Sequence, residues 1–248
     1  VQTCALPILH NYRLLCPAGT FLRNGKICEQ CLERKSLTPS VVHGCYRDSR
    51  AATATVAGML QVHRAAGTWN NAVDAYVAVS QFARGKFIQG GLPAERIFVR
   101  SSFIHPDPGT SAHMGDYALF MGRHCEEKGV RTLAAAWTKL PEIPLVVGGD
   151  GPLRDLAWPA AARKTGFIAR DALLTLLREA RFLVLPSIWY EGAPATILEA
   201  FACGVPVIAS GIGSMPEFIE HMRTGLLRSE EHTSELQSHH DLVCRLLL

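Results

Sequence analysis

No apolar run in the 248 residues approaches the roughly 20 needed to cross a bilayer, and the start lacks the charged and apolar regions of a secretory signal. A soluble, cytoplasmic protein is expected. No Asp-x-Asp pair occurs, so no paired carboxylates stand ready to hold a divalent metal on a diphosphate. The dinucleotide fingerprint G-x-G-x-x-G is also missing, which argues against a nicotinamide enzyme. Charge is sparse, at 19% of residues with a net +3, and it forms no basic stripe of the kind that binds nucleic acid. With 48% hydrophobic residues the chain can bury one or two cores, which excludes disorder. No internal repeat is present.

The two ends share an origin at the level of DNA. One choice of codons for Arg228 to Glu235 and the start of Leu236 has a complementary strand that encodes Val1 to Ile8 in a shifted frame. That stretch resembles a sequencing-library adapter, and His240 to Leu248 resembles its continuation. Residues 1–8 and 228–248 are therefore expected to be translated adapter and are left out of the fold reading. The excluded tail holds two basic and four acidic residues and the head none, so the remainder carries +5. A mildly basic balance suits a polyphosphorylated substrate or peripheral association with an anionic membrane.

Of the eight cysteines, Cys4 and Cys244 fall in those end segments. Cys16, Cys28, Cys31 and Cys45 follow the spacing C-x11-C-x2-C-x13-C around an RNGK turn, and four thiolates can make a tetrahedral structural zinc site. His43 could replace one of them. Buried free thiols are the competing reading, and only Cys28 and Cys31 have the tight spacing of a zinc knuckle. Catalysis requires no cofactor in either case.

Residues 9–49 carry many turn residues and little periodicity, so irregular structure is expected. Helical spacing appears over 50–64, then a short strand at AYVAVS (75–80). A helix follows, capped by Ser80 and stopped by Gly90 and Gly91, and RIFVRS (96–101) makes the next strand. HPDPGTSAHMGD (105–116) reads as an interdomain linker. Beyond it, YALFMG (117–122), PLVVGG (144–149), FLVLPS (182–187) and VPVIAS (205–210) are apolar runs of strand length between amphipathic helices. Strands apolar on both faces belong to a parallel sheet covered by helices on both sides. The fold expected is α/β, with an incomplete domain over 9–112 and a doubly wound domain over 113–227. Ligands of such sheets bind beyond the carboxyl ends of the strands.

The turns at those ends carry the candidate chemistry. In GRHCEEKG, Arg123 and Lys128 flank a strand-to-helix turn, with Lys128 expected to begin the helix. Both cations can face one anion and stabilise the charge that develops on a diphosphate leaving group; the alternative is a solvated basic pair. In VVGGDGP, Gly149 allows close approach of the backbone to a ligand, and Asp150 can bond a hydroxyl or cap a turn. In WYEGAPATILEAFACG, Pro194 opens a helix whose first turn, with Ala195 and Thr196, offers unpaired N–H groups to a phosphate. Glu191 and Glu199 are eight positions apart, roughly 12 Å along helix geometry. That exceeds the roughly 5–9.5 Å of glycosidase carboxylate pairs and fits the two ends of one long ligand better, a sugar and a ribose. Two surface glutamates are the plainer alternative. His63 and His105 are expected at the surface.

GRHCEEKG, GGDGP, FLVLPSIWYEGAPATILEAFACGVPVIAS and the E-x7-E spacing together resemble the C-terminal domain of glycosyltransferase family 4, over about residues 116–227. HNYRLLCPAG through GGLPAERIFV is similar to the end of the N-terminal domain in bacterial polysaccharide-building members. The resemblance implies a GT-B fold of two Rossmann-like domains with a cleft between them. It implies transfer of a hexosyl-type sugar from a nucleotide-diphosphate donor to a glycan or lipid-linked acceptor, with retention, at the inner membrane face. It gives the diphosphate to Arg123 and Lys128, the donor sugar to Glu191, the ribose to Glu199 and the base to the backbone of Phe167 and Ile168. His10 matches a histidine near the transferred sugar. Two departures stand out. Ser101, Ser102 and Phe103 replace the usual Pro-Asn-Gly, and His124 replaces a common leucine. Because most of an N-terminal domain is missing from this match, the polypeptide as written is expected to be inactive. The competing class is a non-catalytic binding module with a zinc-stabilised cysteine segment. Epimerases and phosphorylases share such folds, but the WYEGAPATILEAF segment favours a transferase.

Overall fold

The computed structural model describes residues 6–110 and 115–228, which form two compact units. The first comprises the chain up to Ser102 together with Trp189–Ala193; the second comprises Phe103–Ile188 and the chain from Pro194 onward.

In the first unit, β1 (Ile8–Leu9) leads to a hairpin of β2 (Leu22–Arg23) and β3 (Lys26–Ile27). Short helices α1 (Gln30–Glu33) and α2 (Thr38–His43) precede the long α3 (Arg50–Ala65) and the short α4 (Thr68–Asn71). Then come β4 (Tyr76–Ala78), α5 (Gln81–Gln89) and β5 (Ile97–Val99). The other three strands form a parallel sheet in the order β1-β4-β5, with Leu9 opposite Ala78 and Tyr76 opposite Ile97. Serine caps start both principal helices, Ser49 Oγ accepting from Ala52 N at 3.2 Å and Ser80 Oγ from Ala83 N at 3.1 Å. Tyr12, Phe21, Tyr76 and Phe87 are almost fully buried in the core, each worth about 1.5–3 kcal/mol.

The stretch 9–49 is not irregular as expected. Its elements are two to six residues long, too short to show a period. The RNGK turn closes the hairpin with Asn24 (φ 51°) and Gly25 (φ 72°), both left-handed, as a type I′ turn requires. Of the expected adapter segments, residues 1–5 and 229–248 lie outside the described residues. Val77 N donates to Pro7 O at 3.0 Å and Ile8 pairs with Val77, so this end supplies the edge of the sheet.

The second unit is a six-stranded, all-parallel sheet. Its strands and helices alternate as β6 (Tyr117–Met121), α6 (Val130–Trp137), β7 (Leu145–Gly148), β8 (Ala162–Gly166), α7 (Arg170–Arg178) and β9 (Ala180–Leu185). They continue as α8 (Ala195–Ala202), β10 (Val207–Ser210), α9 (Met215–Phe218) and β11 (Gly225–Arg228). The order β11-β10-β9-β6-β7-β8 reverses direction between β6 and β9, the dinucleotide-fold order with a topological switch point. All four expected apolar runs are strands here. Their side chains alternate between two cores: Leu119, Leu183 and Leu185 face Ile197 and Leu177, while Phe120, Phe182 and Val184 face Val130, Leu133 and Trp137.

Two strands were not foreseen. β8 reads ARKTG because it is an edge strand with little burial, and β11 lies at the opposite edge. The two compact units divide at Ser102/Phe103. Arg170 and Arg178 of α7 donate to the carbonyls of His105 and Pro108 at 3.3 and 2.9 Å, which binds the front of the proline-rich segment to the second unit.

Candidate functional site

At the carboxyl ends of β6, β7 and β8 the turns pack backbone against backbone. Gly122 N donates to Gly148 O (3.1 Å), His124 N to Asp150 O (2.9 Å), Leu153 N to His124 O (2.9 Å) and Gly149 N to Gly166 O (2.8 Å). A Cβ on Gly149 (φ 116°) would stand 1.9 Å from Gly122 O. The close approach that Gly149 permits is therefore to the neighbouring turn, and its N–H is already committed. Asp150 Oδ1 accepts from Gly151 N at 2.7 Å, so of its two expected roles the structure shows the turn cap.

The β6 turn holds the two expected cations. Arg123 is exposed and its guanidinium donates to Glu127 Oε1. Lys128 does not begin α6. It ends a 3-10 turn (Glu126–Lys128), and α6 starts at Val130 after Gly129 in left-handed geometry (φ 68°). A side chain at 129 would strike Pro186 O, 1.9 Å from its Cβ, so glycine here seats the β6 turn against the turn after β9. These are the two strands flanking the switch point.

Beneath the turn lies His124, 2% exposed, with ring contacts to Phe120 and Trp158 at centroid distances of 6.1 and 6.3 Å. Neither ring nitrogen makes a hydrogen bond of good geometry, although the Gly148 backbone lies near enough to favour the protonated ring. Burial holds its pKa below the usual value, against opposing pulls from Gly148 and Asp150.

Pro194 is extended (ψ 119°) and caps α8 without a side-chain hydrogen bond, so the helix opens at Ala195 and Thr196 with uncapped N–H groups and the positive end of its dipole. Glu199, 7% exposed, projects from this helix and meets Arg170 Nε at 3.4 Å. Arg170 was missed in the sequence. It opens α7, and only the packing of α7 on α8 brings it to Glu199. Phe167, 84% exposed, and the partly buried Ile168 follow β8 at the same edge.

Glu191 is not on the helix, so the 12 Å reasoning from helical spacing fails. With Trp189–Ala193 it belongs to the first unit, where it is 4% exposed. Neither glutamate is a surface residue. The loop lies over the carboxyl ends of β1 and β4: a Cβ on Gly192 would be 3.1 Å from Val79 and 3.4 Å from His10 O. The first unit therefore brings together Glu191 and the exposed His10, the two residues assigned to the transferred sugar. The adjacent Tyr190 is held by Glu29, an element no sequence signal revealed.

Among the described residues no three His, Cys, Asp or Glu side chains are arranged to hold a metal ion. Cys16, Cys28, Cys31 and Cys45 form no disulfide and lie close enough to influence one another's thiols. Burial, reinforced by Cys16, pushes the Cys31 and Cys45 thiols up, while Ser40 hydrogen bonds pull Cys31 the other way.

The family model "Glycosyl transferases group 1" matches residues 115–244. Relatives include an O-antigen chain mannosyltransferase B of Escherichia coli, 31% identical over 66% of this chain and 49% of the relative. Another is an alpha-maltose-1-phosphate synthase of Mycolicibacterium smegmatis, 31% identical over 63% and 48%. The chain spans about half or less of the length of the first curated relatives it matches. Among solved structures, Anabaena Alr3699/HepE in complex with UDP-glucose superposes with a TM-score of 0.62 at 17% identity, covering 88% of this chain and 71% of that one. Sucrose-phosphate synthase from Thermosynechococcus elongatus gives 0.62 at 20% identity, covering 77% and 52%. These likenesses agree on the fold, two Rossmann-like α/β units of GT-B type.

Proposed function

Because the chain belongs to the group 1 glycosyl transferases, we propose that it binds a nucleotide-diphosphate sugar and serves transfer of that sugar, with retention, to a glycan or lipid-linked acceptor in polysaccharide biosynthesis. The observation that carries this reading is the assembly at the switch point of the second unit. There the β6 turn with Arg123 and Lys128, the uncapped start of α8 and the buried Glu199 surround the edge where ligands of this topology sit. Cations and helix dipole offset the charge of the diphosphate and stabilise it further as the bond to the sugar breaks. Arg123 exchanges Glu127 for the diphosphate. Glu199 accepts hydrogen bonds from the ribose, with Arg170 fixing its carboxylate. The backbone at Phe167 and Ile168 receives the base. Orientation of the donor sugar is assigned to Glu191 and His10, both of the first unit. The similarly folded Anabaena Alr3699/HepE, whose structures hold UDP and UDP-glucose, supports a nucleotide-sugar ligand. A relative named for O-antigen mannosyl transfer supports the acceptor class. The binding-module alternative is not favoured by the family match.

Calorimetric titration of the chain with UDP-, GDP- and ADP-sugars tests the reading. One donor is expected to bind, and Arg123→Ala and Glu199→Ala should each weaken it about ten- to hundred-fold, the loss of a charged hydrogen bond. A folded protein that binds none of the three sinks the proposal.

A further inference from the structure

The loop that carries Glu191 is anchored by a charged cluster on the first unit. Tyr190 Oη donates to Glu29 Oε1 at 2.6 Å. Lys86 Nζ, from α5, donates to both oxygens of the same carboxylate at 2.6 and 2.7 Å. The side chains of Lys86 and Glu29 are only 17% and 15% exposed. Around them the Tyr190 ring meets Phe82 edge-on at 4.7 Å, with Phe21 and Tyr12 at 6.1 and 6.3 Å, and Lys86 Nζ is 5.4 Å from the Tyr190 ring centre. Tyr190 is thus fixed by its ring and, independently, by its hydroxyl. On the far side of Glu191, a Cβ on Gly192 would stand 3.1 Å from Val79 and 3.4 Å from His10 O, so a side chain there would press on both.

Glu29 lies between Cys28 and Cys31, in the segment that follows the β2–β3 hairpin and is 161 positions from Tyr190. A half-buried ion pair gains little stability over apolar side chains of the same volume, so stability alone does not account for it. What a carboxylate shared between an ammonium and a phenol supplies is direction: one short hydrogen bond with one register for the loop. We propose that Glu29 and Lys86 are positioning residues that act through Tyr190 to set the Glu191 carboxylate against the donor sugar. The cysteine-bearing segment would then be the brace of the sugar-binding loop. This rests on the donor-binding reading above and adds residues to it.

The test separates the sugar from the nucleotide. Wild type, Tyr190→Phe, Glu29→Gln and Glu191→Gln are titrated with UDP and UDP-glucose, with GDP and GDP-mannose, and with ADP and ADP-glucose, using whichever pair the wild type binds. Tyr190→Phe keeps the ring and its packing and removes only the hydroxyl. It is expected to weaken the nucleotide sugar about five- to ten-fold while leaving the bare diphosphate within about two-fold, reproducing the pattern of Glu191→Gln. Glu29→Gln should do the same, and the double variant should lose no more than either single one, as members of one hydrogen-bonded unit do. Near-UV circular dichroism checks packing; should Glu29→Gln unfold, Tyr190→Phe decides alone. Unchanged affinity for the sugar, or equal loss for sugar and bare diphosphate, overturns the positioning role. A wild type that binds none of the three diphosphates and none of their sugars overturns the donor-binding reading and this proposal with it, a result distinguishable from the other two.

Discussion

His124 shows at the scale of one residue what a buried polar side chain costs. An imidazole at 2% exposure with no hydrogen bond of good geometry costs about 1–3 kcal/mol against an apolar side chain of similar size. His124→Leu should therefore raise stability by about 1–2 kcal/mol in urea unfolding at pH 7.5. Its pH dependence has a definite sign. With the folded pKa depressed, the unfolded chain takes up the proton first, so stability is full above about pH 6.5 and falls as the pH drops toward the folded value. The leucine variant should lose that part of the slope between pH 7.5 and 5.5; an unchanged slope would show that the imidazole is not the group responsible. Arg170 offers a second test. Removing it leaves the buried Glu199 without its ion-pair partner, so Arg170→Ala should lower donor affinity about three- to ten-fold. Arg123, Lys128 and Glu199 stand out as candidates in the sequence by local chemistry, whereas the helical spacing that paired Glu191 with Glu199 does not hold. Arg170, Glu29 and Lys86 do not stand out, because each acts on a partner that only tertiary packing supplies, 29, 161 and 57 positions away.

Elements were legible in proportion to how completely they are buried. β6, β7, β9 and β10 are central strands with apolar side chains on both faces, and each appears in the sequence as an unbroken run. β8 is an edge strand whose ARKTG carries no such mark. The β2–β3 hairpin left only its Asn24-Gly25 turn as a signal, since two-residue strands have no room to alternate. The helix expected from Lys128 begins two residues later because Gly129 adopts a left-handed conformation, fitting where no Cβ can. Gly129→Ala should cost about 2–4 kcal/mol in denaturant unfolding, from the positive φ and the clash with the Pro186 carbonyl. The same variant should weaken nucleotide-sugar binding, since the β6 turn can no longer seat against the turn after β9. A variant as stable as wild type would show that the two turns can part without penalty.

For the molecule as a whole, the alternation of strands and helices announced a doubly wound α/β fold, and the six-stranded sheet has that order. The partition of the chain was harder to read. Nothing local marks Trp189–Ala193 as part of the first unit, because WYEGA follows a buried strand of the second as any connecting turn would. A protein cut down to residues 103–228 should therefore expose Trp189 and Tyr190, which normally rest among residues of the first unit. It should bind a hydrophobic dye that the whole chain excludes, and failure to do so would mean that the loop finds a second resting place. Five residues that belong to one unit while being encoded inside the other also restrict how such proteins can recombine in evolution. A crossover at Ser102/Phe103 would pair the loop of one lineage with the Glu29 and Lys86 of another. Exchange of halves is expected to succeed only between chains that preserve this handshake, so the two halves are inherited as a matched pair.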